Sequence, residues 1–306
     1  MKKTITTIMA VAFAMAINAQ SLFVGTYNVR NQNDGDAKAG NGWTVRGKAL
    51  CEQIDFEDPD VFGTQEALHG QVADLERMLD GYGSIGVGRE DGKQAGEYSA
   101  VFYKKDRLRL LDSGNFWLSP TPEKPTIGWD AACIRICTWG QFEQKATGLK
   151  FYFFNLHMDH VGLKARSEAA KLVVKKIREI ANGAPTVLTG DFNVDQHNDI
   201  FKTFTTSGIL VDTYDKAQRR FIENGTFNDF DPNLKSDSRI DHIFVSPSFT
   251  VKRYGVLTDT YWSPSQRADS KDVKAKNAPE ELRFKNYQRR CLSDHYPVFV
   301  KLEKKN

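Results

Sequence analysis

The sequence predicts an α/β protein in which helices cover a layered sandwich of mixed β-sheets. Short apolar runs typical of strands alternate along the chain with longer segments of helical periodicity. Several of these runs are continuously apolar, as in Phe151-Tyr152-Phe153-Phe154, which is typical of strands that are covered on both faces. A hairpin-like stretch from Val101 to Leu111 interrupts the βαβ order. We therefore expect mixed sheets rather than one doubly wound parallel sheet.

Eight segments have the length and composition of strands, and three place apolar residues at helical spacings of three and four. The predicted strands are Leu22–Asn28, Asp60–Gln65, Ser99–Tyr103, Ile134–Phe142, Lys150–Leu156, Thr186–Thr189, Ile240–Val245 and Pro297–Lys301. The predicted helices are Val45–Ile54, Val72–Leu79 and Leu163–Ile180. No internal repeat or linker rich in Pro, Gly and Ser divides the chain, so residues 20–306 are expected to form one domain.

The first 19 residues have the layout of a secretory signal peptide. Lys2 and Lys3 precede an apolar run, and small residues lead to an expected cleavage site near Ala19-Gln20. The run is too short for a stable membrane span, although a buried N-terminal strand or helix is the alternative interpretation. We expect the mature protein in the periplasm or outside the cell.

Charge and cysteine usage exclude several functional classes. Removing Lys2 and Lys3 from the 42 basic residues leaves 40 against 39 acidic residues, a net charge of +1. This balance favours no polyanionic partner, so duplex DNA is not the expected substrate. Cys51, Cys133, Cys137 and Cys291 form no CxxC pair and no zinc-binding pattern. Export would permit a Cys51–Cys291 disulfide, and free thiols are equally compatible with the sequence.

Polar side chains interrupt or follow the apolar strands at several places. They are Asn28, Gln65-Glu66, His157 with Asp159 and His160, Asp191 with Asn193, Arg239 with Asp241, and Asp294-His295. Each has an ordinary structural explanation, since Glu66 could cap the helix that follows, the asparagines could be turn residues and the histidines could be buried in the core. Together, at strand ends that meet at one edge of a sheet, they predict a functional site.

The chemistry of this set is that of phosphoryl transfer. A hard cation such as Mg²⁺ prefers oxygen ligands, which Glu66 offers with Asn28 and Asp294 nearby. Asp191 and His295 can orient and deprotonate a water molecule. His157 and Asn193 can direct donors toward the charged oxygens of a transition state.

Six blocks carry a resemblance to a known family. They are Thr26-Tyr27-Asn28-Val29-Arg30, Thr64-Gln65-Glu66-Ala67, Asn155-Leu156-His157-Met158-Asp159-His160, Gly190-Asp191-Phe192-Asn193, Ile240-Asp241-His242-Ile243 and Ser293-Asp294-His295-Tyr296-Pro297. Their order and content resemble the signature of the endonuclease/exonuclease/phosphatase superfamily, over nearly the whole mature chain. The resemblance implies a four-layered α/β sandwich of two mixed β-sheets flanked by helices, the deoxyribonuclease I-like fold.

The resemblance also implies roles for individual residues. Glu66 is expected to be the principal Mg²⁺ ligand, supported by Asn28 and Asp294, with Mn²⁺ as an alternative metal. His157 is expected to contact the scissile phosphate, and Asn193 a non-bridging oxygen. Asp191 would orient or deprotonate the attacking water, while His295, oriented by Asp241, acts as general base or acid. These assignments follow from the matched blocks.

The implied function is metal-dependent hydrolysis of a phosphate ester, and a secreted binding protein without turnover is the alternative. The substrate remains open among a small molecule, a lipid headgroup and a single-stranded nucleic acid. Candidate substrate-binding residues are Asp159, His160, Arg135 and Trp139, and a position in the core is the alternative, and commoner, explanation for Trp139. The segment from Tyr261 to Arg290, with eight basic and four acidic residues, is either a substrate-facing loop or a solvated surface.

Overall fold

Two mixed β-sheets face each other at the centre of the fold. The computed structural model describes residues 20–264, 277, 279–282 and 287–305. The expected signal peptide, residues 1–19, and much of the basic segment between Tyr261 and Arg290 lie outside the described residues. The described strands are β1 (Ser21–Asn28), β2 (Val61–Gln65), β3 (Tyr82–Ile85), β4 (Val101–Lys104), β5 (Leu108–Trp117), β6 (Ile136–Gln144), β7 (Lys150–His157), β8 (Thr186–Asp191), β9 (Val211–Asp212), β10 (Arg220–Phe221), β11 (Asp241–Val245), β12 (Phe249–Val256), β13 (Thr260–Pro264), β14 (Tyr287–Cys291) and β15 (Val298–Lys304).

The strands divide into two large sheets and one ribbon. The first sheet has the order β10-β12-β15-β1-β2-β4-β3, and the second has the order β5-β6-β7-β8-β11-β9. Each contains parallel pairs, β1 with β2 and β7 with β8, among antiparallel ones. Within the described part of the chain, strands β13 and β14 pair only with each other, in a separate antiparallel ribbon. Both large sheets are therefore mixed, as the sequence predicted.

Helices cover the outer faces of the two sheets. The described helices are α1 (Asp34–Lys38), α2 (Trp43–Glu57), α3 (His69–Met78), α4 (Leu163–Ala181), α5 (Asp199–Thr205) and α6 (Thr213–Lys216). One apolar core fills the space between the sheets, a second packs the first sheet against α2 and α3, and a third packs the second sheet against α4 and α5. Three cores between four layers confirm the predicted four-layered sandwich.

The predicted strands and helices all correspond to described elements, with boundaries that differ by a few residues. One local interpretation was wrong, because Val101–Leu111 is not a hairpin. Strand β4 pairs with β2 and β3 in the first sheet, whereas β5 pairs with β6 in the second. The short turn between them connects the two sheets. A turn of this length permits pairing but does not require it, and the apolar face of each strand decides where it packs.

Strand direction brings distant polar residues to one end of the sandwich. Asn28 and Gln65 are register partners at the carboxyl ends of the parallel strands β1 and β2. His157 and Asp191 are partners at the same ends of β7 and β8. Strand β11 runs antiparallel to β8, so that its first residue, Asp241, is paired with Asp191. Strand β15 runs antiparallel to β1, which places the preceding Asp294-His295 at this end too.

All four cysteines are free thiols, and the proposed Cys51–Cys291 disulfide is not formed. Burial raises the pKa of Cys51 to about 12 and of Cys291 to about 11, so these thiols are held in their neutral, unreactive form. Among the described residues, no helix combines the length and apolarity that a membrane span requires.

Candidate active site

A cleft of about 400 Å³ opens where the strand ends converge. Carboxylates, histidines and three arginines share its surface with few apolar groups. The lining residues are Arg30, Asn31, Glu66, Arg89, Glu97, Cys133, Arg135, His157, His160, Asp191, Asn193, Phe227, Ile240, Asp294 and His295. Asn28 and Asp241 are completely or almost completely buried directly behind this surface.

Asp191 lies at the centre of the site. Its Oδ2 accepts a hydrogen bond from Nδ2 of Asn28 at 3.0 Å, and the same oxygen is 3.5 Å from Nε2 of His157 and 3.8 Å from Nε2 of His295. Burial and the neighbouring Asp241 carboxylate raise the pKa of Asp191 above its usual range. A buried carboxylate of raised pKa, between two imidazoles, is suited to accept a proton from a water molecule.

Glu66 lies beside Asp191 and is held by several donors. Its Oε1 accepts from Nδ2 of Asn28 at 3.0 Å, and its Oε2 accepts from the backbone and side-chain nitrogens of Asn31 at 3.2 and 3.3 Å. Burial raises its pKa, but the bond from Asn28 and the charges of His295 and Arg30 together lower the pKa below its usual range. Glu66 is therefore an ionised carboxylate, and it does not cap helix α3.

Several groups near Glu66 could hold a metal ion. Ligand atoms of Glu66, His157 and Asp191 all lie within 4.8 Å of one another, and the three side chains are buried. Asp294 adds a further carboxylate, since Nη1 of Arg30 lies 3.5 Å from Asp294 and 3.9 Å from Glu66. Burial and the negative charge of Glu66 raise the pKa of Asp294 above its usual range, against the opposing charges of His295 and Arg30. The donor set fits a hard divalent cation.

His295 and Asp241 form a close ion pair within the site. Nδ1 of His295 lies 2.8 Å from Oδ2 of Asp241, and both side chains are buried. Burial disfavours the charged imidazolium, but the carboxylates of Asp241 and Asp191 raise the pKa of His295 well above its usual range. The pair fixes the orientation of the ring and leaves Nε2 directed toward Asp191 and Asn28.

His157 is held between Asn193 and Glu97. Its Nε2 lies 3.2 Å from Nδ2 of Asn193, and its Nδ1 lies 4.0 Å from Oε2 of Glu97. Burial, with the positive charges of Arg135 and Arg89, lowers the pKa of His157 well below its usual range. The imidazole is therefore neutral, and it can form hydrogen bonds to a phosphate without adding charge.

Arg135, Asp159 and His160 form a connected group at the cleft. Nε of Arg135 lies 3.4 Å from Oδ2 of Asp159, and Nη2 of Arg135 lies 2.9 Å from Nδ1 of His160. Asp159 is buried and does not line the cleft, whereas the other two residues do. Burial raises the pKa of Asp159, but hydrogen bonds from Gly162 and Val161 and the charge of Arg135 lower it to about 2. Asp159 thus positions Arg135 and has no direct access to a substrate.

Trp139 does not reach the cleft, which corrects the expectation that it contacts substrate. Its indole packs against Tyr152 and Phe154, with ring centroids 6.2 and 6.5 Å apart, and joins the core between the second sheet and α4. Arg135 precedes β6 at the cleft end. Trp139 is four residues further along, which is about 13 Å in an extended strand.

A buried polar network supports the site from below, between the two sheets. The Asn155 amide donates to the carbonyl oxygens of Thr64 and Ala100 at 2.8 and 2.9 Å. Its Oδ1 accepts from Gln65 at 2.7 Å and from Thr189 at 3.0 Å. Bonds of this kind in a low-dielectric interior fix the relative position of the strands that carry the site.

Three residues of the cleft have left-handed backbone conformations. The φ angles of Arg30, Glu66 and Asn193 are 57°, 67° and 50°. Such conformations are unfavourable for residues with a side chain and persist where the surrounding structure enforces them. Each follows the end of a strand, so the backbone turns sharply and presents these side chains to the cleft.

Seven residues that line the cleft were not among the candidate site residues. They are Arg30, Asn31, Arg89, Glu97, Cys133, Phe227 and Ile240. Glu97 accepts from Nδ2 of Asn31 at 3.1 Å and forms an ion pair with Arg89. Arg30 ends the first of the six family-like blocks, so a signal existed for it. Arg89, Asn31 and Phe227 carry no local pattern that separates them from loop residues.

The fold and this arrangement define a class of protein. The family model described as "Endonuclease/Exonuclease/phosphatase family" matches residues 25–295. This match covers most of the sequence and includes every candidate catalytic residue and metal ligand named above. The chain belongs to the endonuclease/exonuclease/phosphatase family, whose members are phosphoric ester hydrolases.

Solved structures from Bacteroides thetaiotaomicron are similar over almost the whole chain. An endonuclease/exonuclease/phosphatase family protein is 49% identical with a TM-score of 0.86, and the match covers 94% of this chain and 99% of that one. A mannosyl-6-phosphatase from strain VPI-5482 is also 49% identical, with a TM-score of 0.84 and coverage of 92% and 99%.

More distant relatives include proteins of other kinds. An uncharacterized protein of Acanthamoeba polyphaga mimivirus is 25% identical over 85% of this chain and 92% of its own length. The 3'-5'-exoribonuclease subunit Ccr4 of Debaryomyces hansenii is 24% identical over 85% of this chain, which spans only 35% of that protein.

Proposed function

We propose that this chain is a divalent-metal-dependent phosphatase that removes phosphate from a sugar phosphate monoester. The convergence of Glu66, Asp191 and His157 with the His295–Asp241 pair in one cleft carries this proposal. Its sugar specificity is supported by the mannosyl-6-phosphatase that shares 49% of its sequence over 92% of the chain. Fold alone would not identify the substrate, because this fold serves many phosphate esters.

Mg²⁺ is the metal that the site suits best, and Mn²⁺ is the alternative. Glu66 would be the principal ligand, with Asp294 next to it and the Asn28 amide, whose nitrogen donates to Glu66, in support. Asp191 and His157 offer the other ligand atoms within reach. Oxygen-rich ligand sets select hard cations rather than zinc or copper. When bound, the ion would neutralise phosphate charge and polarise the phosphorus–oxygen bonds.

The residues of the chain then perform three tasks. Asn193 and the neutral His157 contact the non-bridging phosphate oxygens, which become more negative in the transition state. Because the Asn193 amide donates to Nε2 of His157, the ring donates to phosphate through its Nδ1–H group. Asp191, with its raised pKa, orients the attacking water and accepts its proton. Asp241 holds His295 as an oriented acid or base beside the same phosphate. As the new phosphorus–oxygen bond forms, the bond to the sugar oxygen breaks and that oxygen takes up a proton.

The alternative hypothesis, a secreted binding protein without turnover, has less support, because it predicts that catalytic groups are missing. The catalytic groups are instead all present, and they contact one another or lie close together. They are Glu66, Asp191, Asn193, His295 and Asp241. Duplex DNA remains a disfavoured substrate in this proposal, since the mature chain would be nearly neutral. We also propose export after cleavage near Ala19-Gln20, which N-terminal sequencing of the protein recovered outside the cytoplasm would test.

The decisive experiment measures phosphate release by the chain from residue 20 to residue 306. Substrates would be mannose 6-phosphate, p-nitrophenyl phosphate, bis-p-nitrophenyl phosphate, single-stranded RNA and supercoiled plasmid. We expect hydrolysis of mannose 6-phosphate with Mg²⁺ or Mn²⁺, its loss in EDTA, and its loss in the variant His295→Ala. Preferred turnover of a diester or of a nucleic acid would refute the phosphatase assignment. Full activity in EDTA would refute the metal requirement.

A further inference from the structure

His160 is an exposed residue of the cleft whose proton position is determined by its neighbour. Nη2 of Arg135 lies 2.9 Å from Nδ1 of His160. A guanidinium group donates hydrogen bonds and accepts none, so Nδ1 must be the acceptor. The neutral imidazole therefore carries its proton on Nε2, for which the described part of the chain supplies no hydrogen-bond partner. His160 thus offers the cleft one directed N–H donor.

Arg135, which determines the position of the proton on His160, is itself rigidly held. The Arg135 side chain is 5% exposed and pairs with Asp159, whose side chain is 1% exposed. Asp159 in turn accepts backbone hydrogen bonds from Val161 at 2.9 Å and Gly162 at 2.7 Å. Because each member of this chain of contacts is fixed by the next, the Nε2–H group of His160 has a defined position before any ligand binds.

The charge of this part of the cleft is balanced. Arg135 is paired with Asp159, and Arg89 is paired with Glu97. Each of these two cations therefore has its own carboxylate, and the described residues leave no unpaired positive charge there for a second phosphate. A wall that offers hydrogen bonds without net charge matches neutral hydroxyl groups better than it matches an anion.

From these observations we propose that His160 binds the alcohol half of the ester. Its Nε2–H group donates a hydrogen bond to a hydroxyl or ring oxygen of a neutral, polyhydroxylated leaving group. Arg135 and Asp159 act as positioning residues that set the tautomer of His160. This inference rests on the proposed phosphatase function, and it identifies a residue that distinguishes a sugar ester from an ester whose alcohol lacks hydroxyl groups.

The test compares two phosphate monoesters with different leaving groups. Mannose 6-phosphate carries hydroxyl groups, whereas phenyl phosphate has none. We expect His160→Ala to lower the ratio of kcat/KM between mannose 6-phosphate and phenyl phosphate by a factor of about 3 to 10, the size of one neutral hydrogen bond. The loss should lie in KM, because the contact exists before the transition state.

Two further variants sharpen this comparison. His160→Gln retains an amide donor near the position of Nε2 and should restore part of the ratio. His197→Ala removes an exposed histidine outside the cleft and should leave the ratio unchanged. An equal loss of kcat/KM on both esters in His160→Ala would show that His160 acts on the phosphate, and an unchanged kcat/KM on both esters would show that it contacts neither half. Either result overturns the inference.

Nuclear magnetic resonance separates this inference from the proposed function. The ¹⁵N shifts of His160 in the wild-type protein should show a neutral ring protonated at Nε2, and the Nε2 signal should move when free mannose is added. A ring protonated at Nδ1, or no response to mannose, overturns the inference. If the wild type hydrolyses no monoester, the proposed function fails, and the mannose titration still decides the binding role of His160.

Discussion

The His295–Asp241 pair offers the sharpest test of the site, through the variant Asp241→Asn. This change keeps the size of the side chain and removes its charge. Oδ2 of Asp241 lies 2.8 Å from Nδ1 of His295, and the two residues are 1% and 5% exposed. The variant therefore replaces a charge-assisted hydrogen bond in a water-excluded setting by a neutral one, or inverts it so that the amide donates to the ring.

The structure sets the size of the expected effect. A hydrogen bond to a charged group contributes about 1.5–3 kcal/mol, roughly twice the contribution of a neutral one. Since about 1.4 kcal/mol corresponds to a tenfold change in rate, replacing the charged bond by a neutral one of about half its energy should lower kcat by about 3- to 12-fold. KM should change much less, because Asp241 lies behind the cleft surface and contacts no substrate.

The assay is steady-state phosphate release from mannose 6-phosphate at saturating Mg²⁺, with the melting temperature measured on the same samples. Asp212→Asn is the matched control. Asp212 is equally buried but pairs with Arg239, at 3.3 and 3.4 Å, and does not line the cleft. The control should lose thermal stability and keep kcat. A fully active Asp241→Asn, or an equal loss of kcat in both variants, would refute the reasoning.

Three other outcomes follow from the structure. Glu66→Gln should weaken Mg²⁺ binding in calorimetry and lower turnover at limiting metal; wild-type affinity would exclude Glu66 as a ligand. Asp159 has a folded-state pKa of about 2, below the unfolded value, so its stabilising effect is present above about pH 4 and lost as the pH falls toward 2. Melting curves should therefore show Asp159→Asn less stable at neutral pH and less sensitive to acid, whereas parallel pH profiles would contradict the pairing with Arg135. Trp139→Ala should destabilise the fold by about 1–3 kcal/mol in urea titrations without changing KM, and a raised KM would return Trp139 to the substrate site.

The sequence was sufficient for the layered architecture because its apolar segments carry their own periodicity. Phe151 and Phe153 face the core between the sheets, while Phe154 and Leu156 face the helices, as a strand covered on both faces requires. Strand β12 was not predicted from the sequence, although buried and exposed side chains alternate along most of it. A bulge between Val251 and Arg253 shifts this alternation, so that the period of two is hidden in the sequence.

The groups of the site were visible as residue types, but their contacts depend on strand pairing. Asn28 approaches His295 across 267 positions of sequence, which no local pattern encodes. The resemblance to a family placed these two residues in one site. It did not place Glu97 beside His157, because that contact depends on a loop conformation.

The chemical identity of the site residues and their order along the chain were therefore determined by the sequence alone. It contained the carboxylates, amides and imidazoles of a phosphate-ester hydrolase and the apolar periods of a layered sandwich. Only the tertiary structure separated Arg135, which reaches the cleft, from Trp139, which joins the core, and only it fixed the tautomer of His160. The physical reason is that side-chain direction and hydrogen-bond partners depend on register and packing between segments distant in sequence.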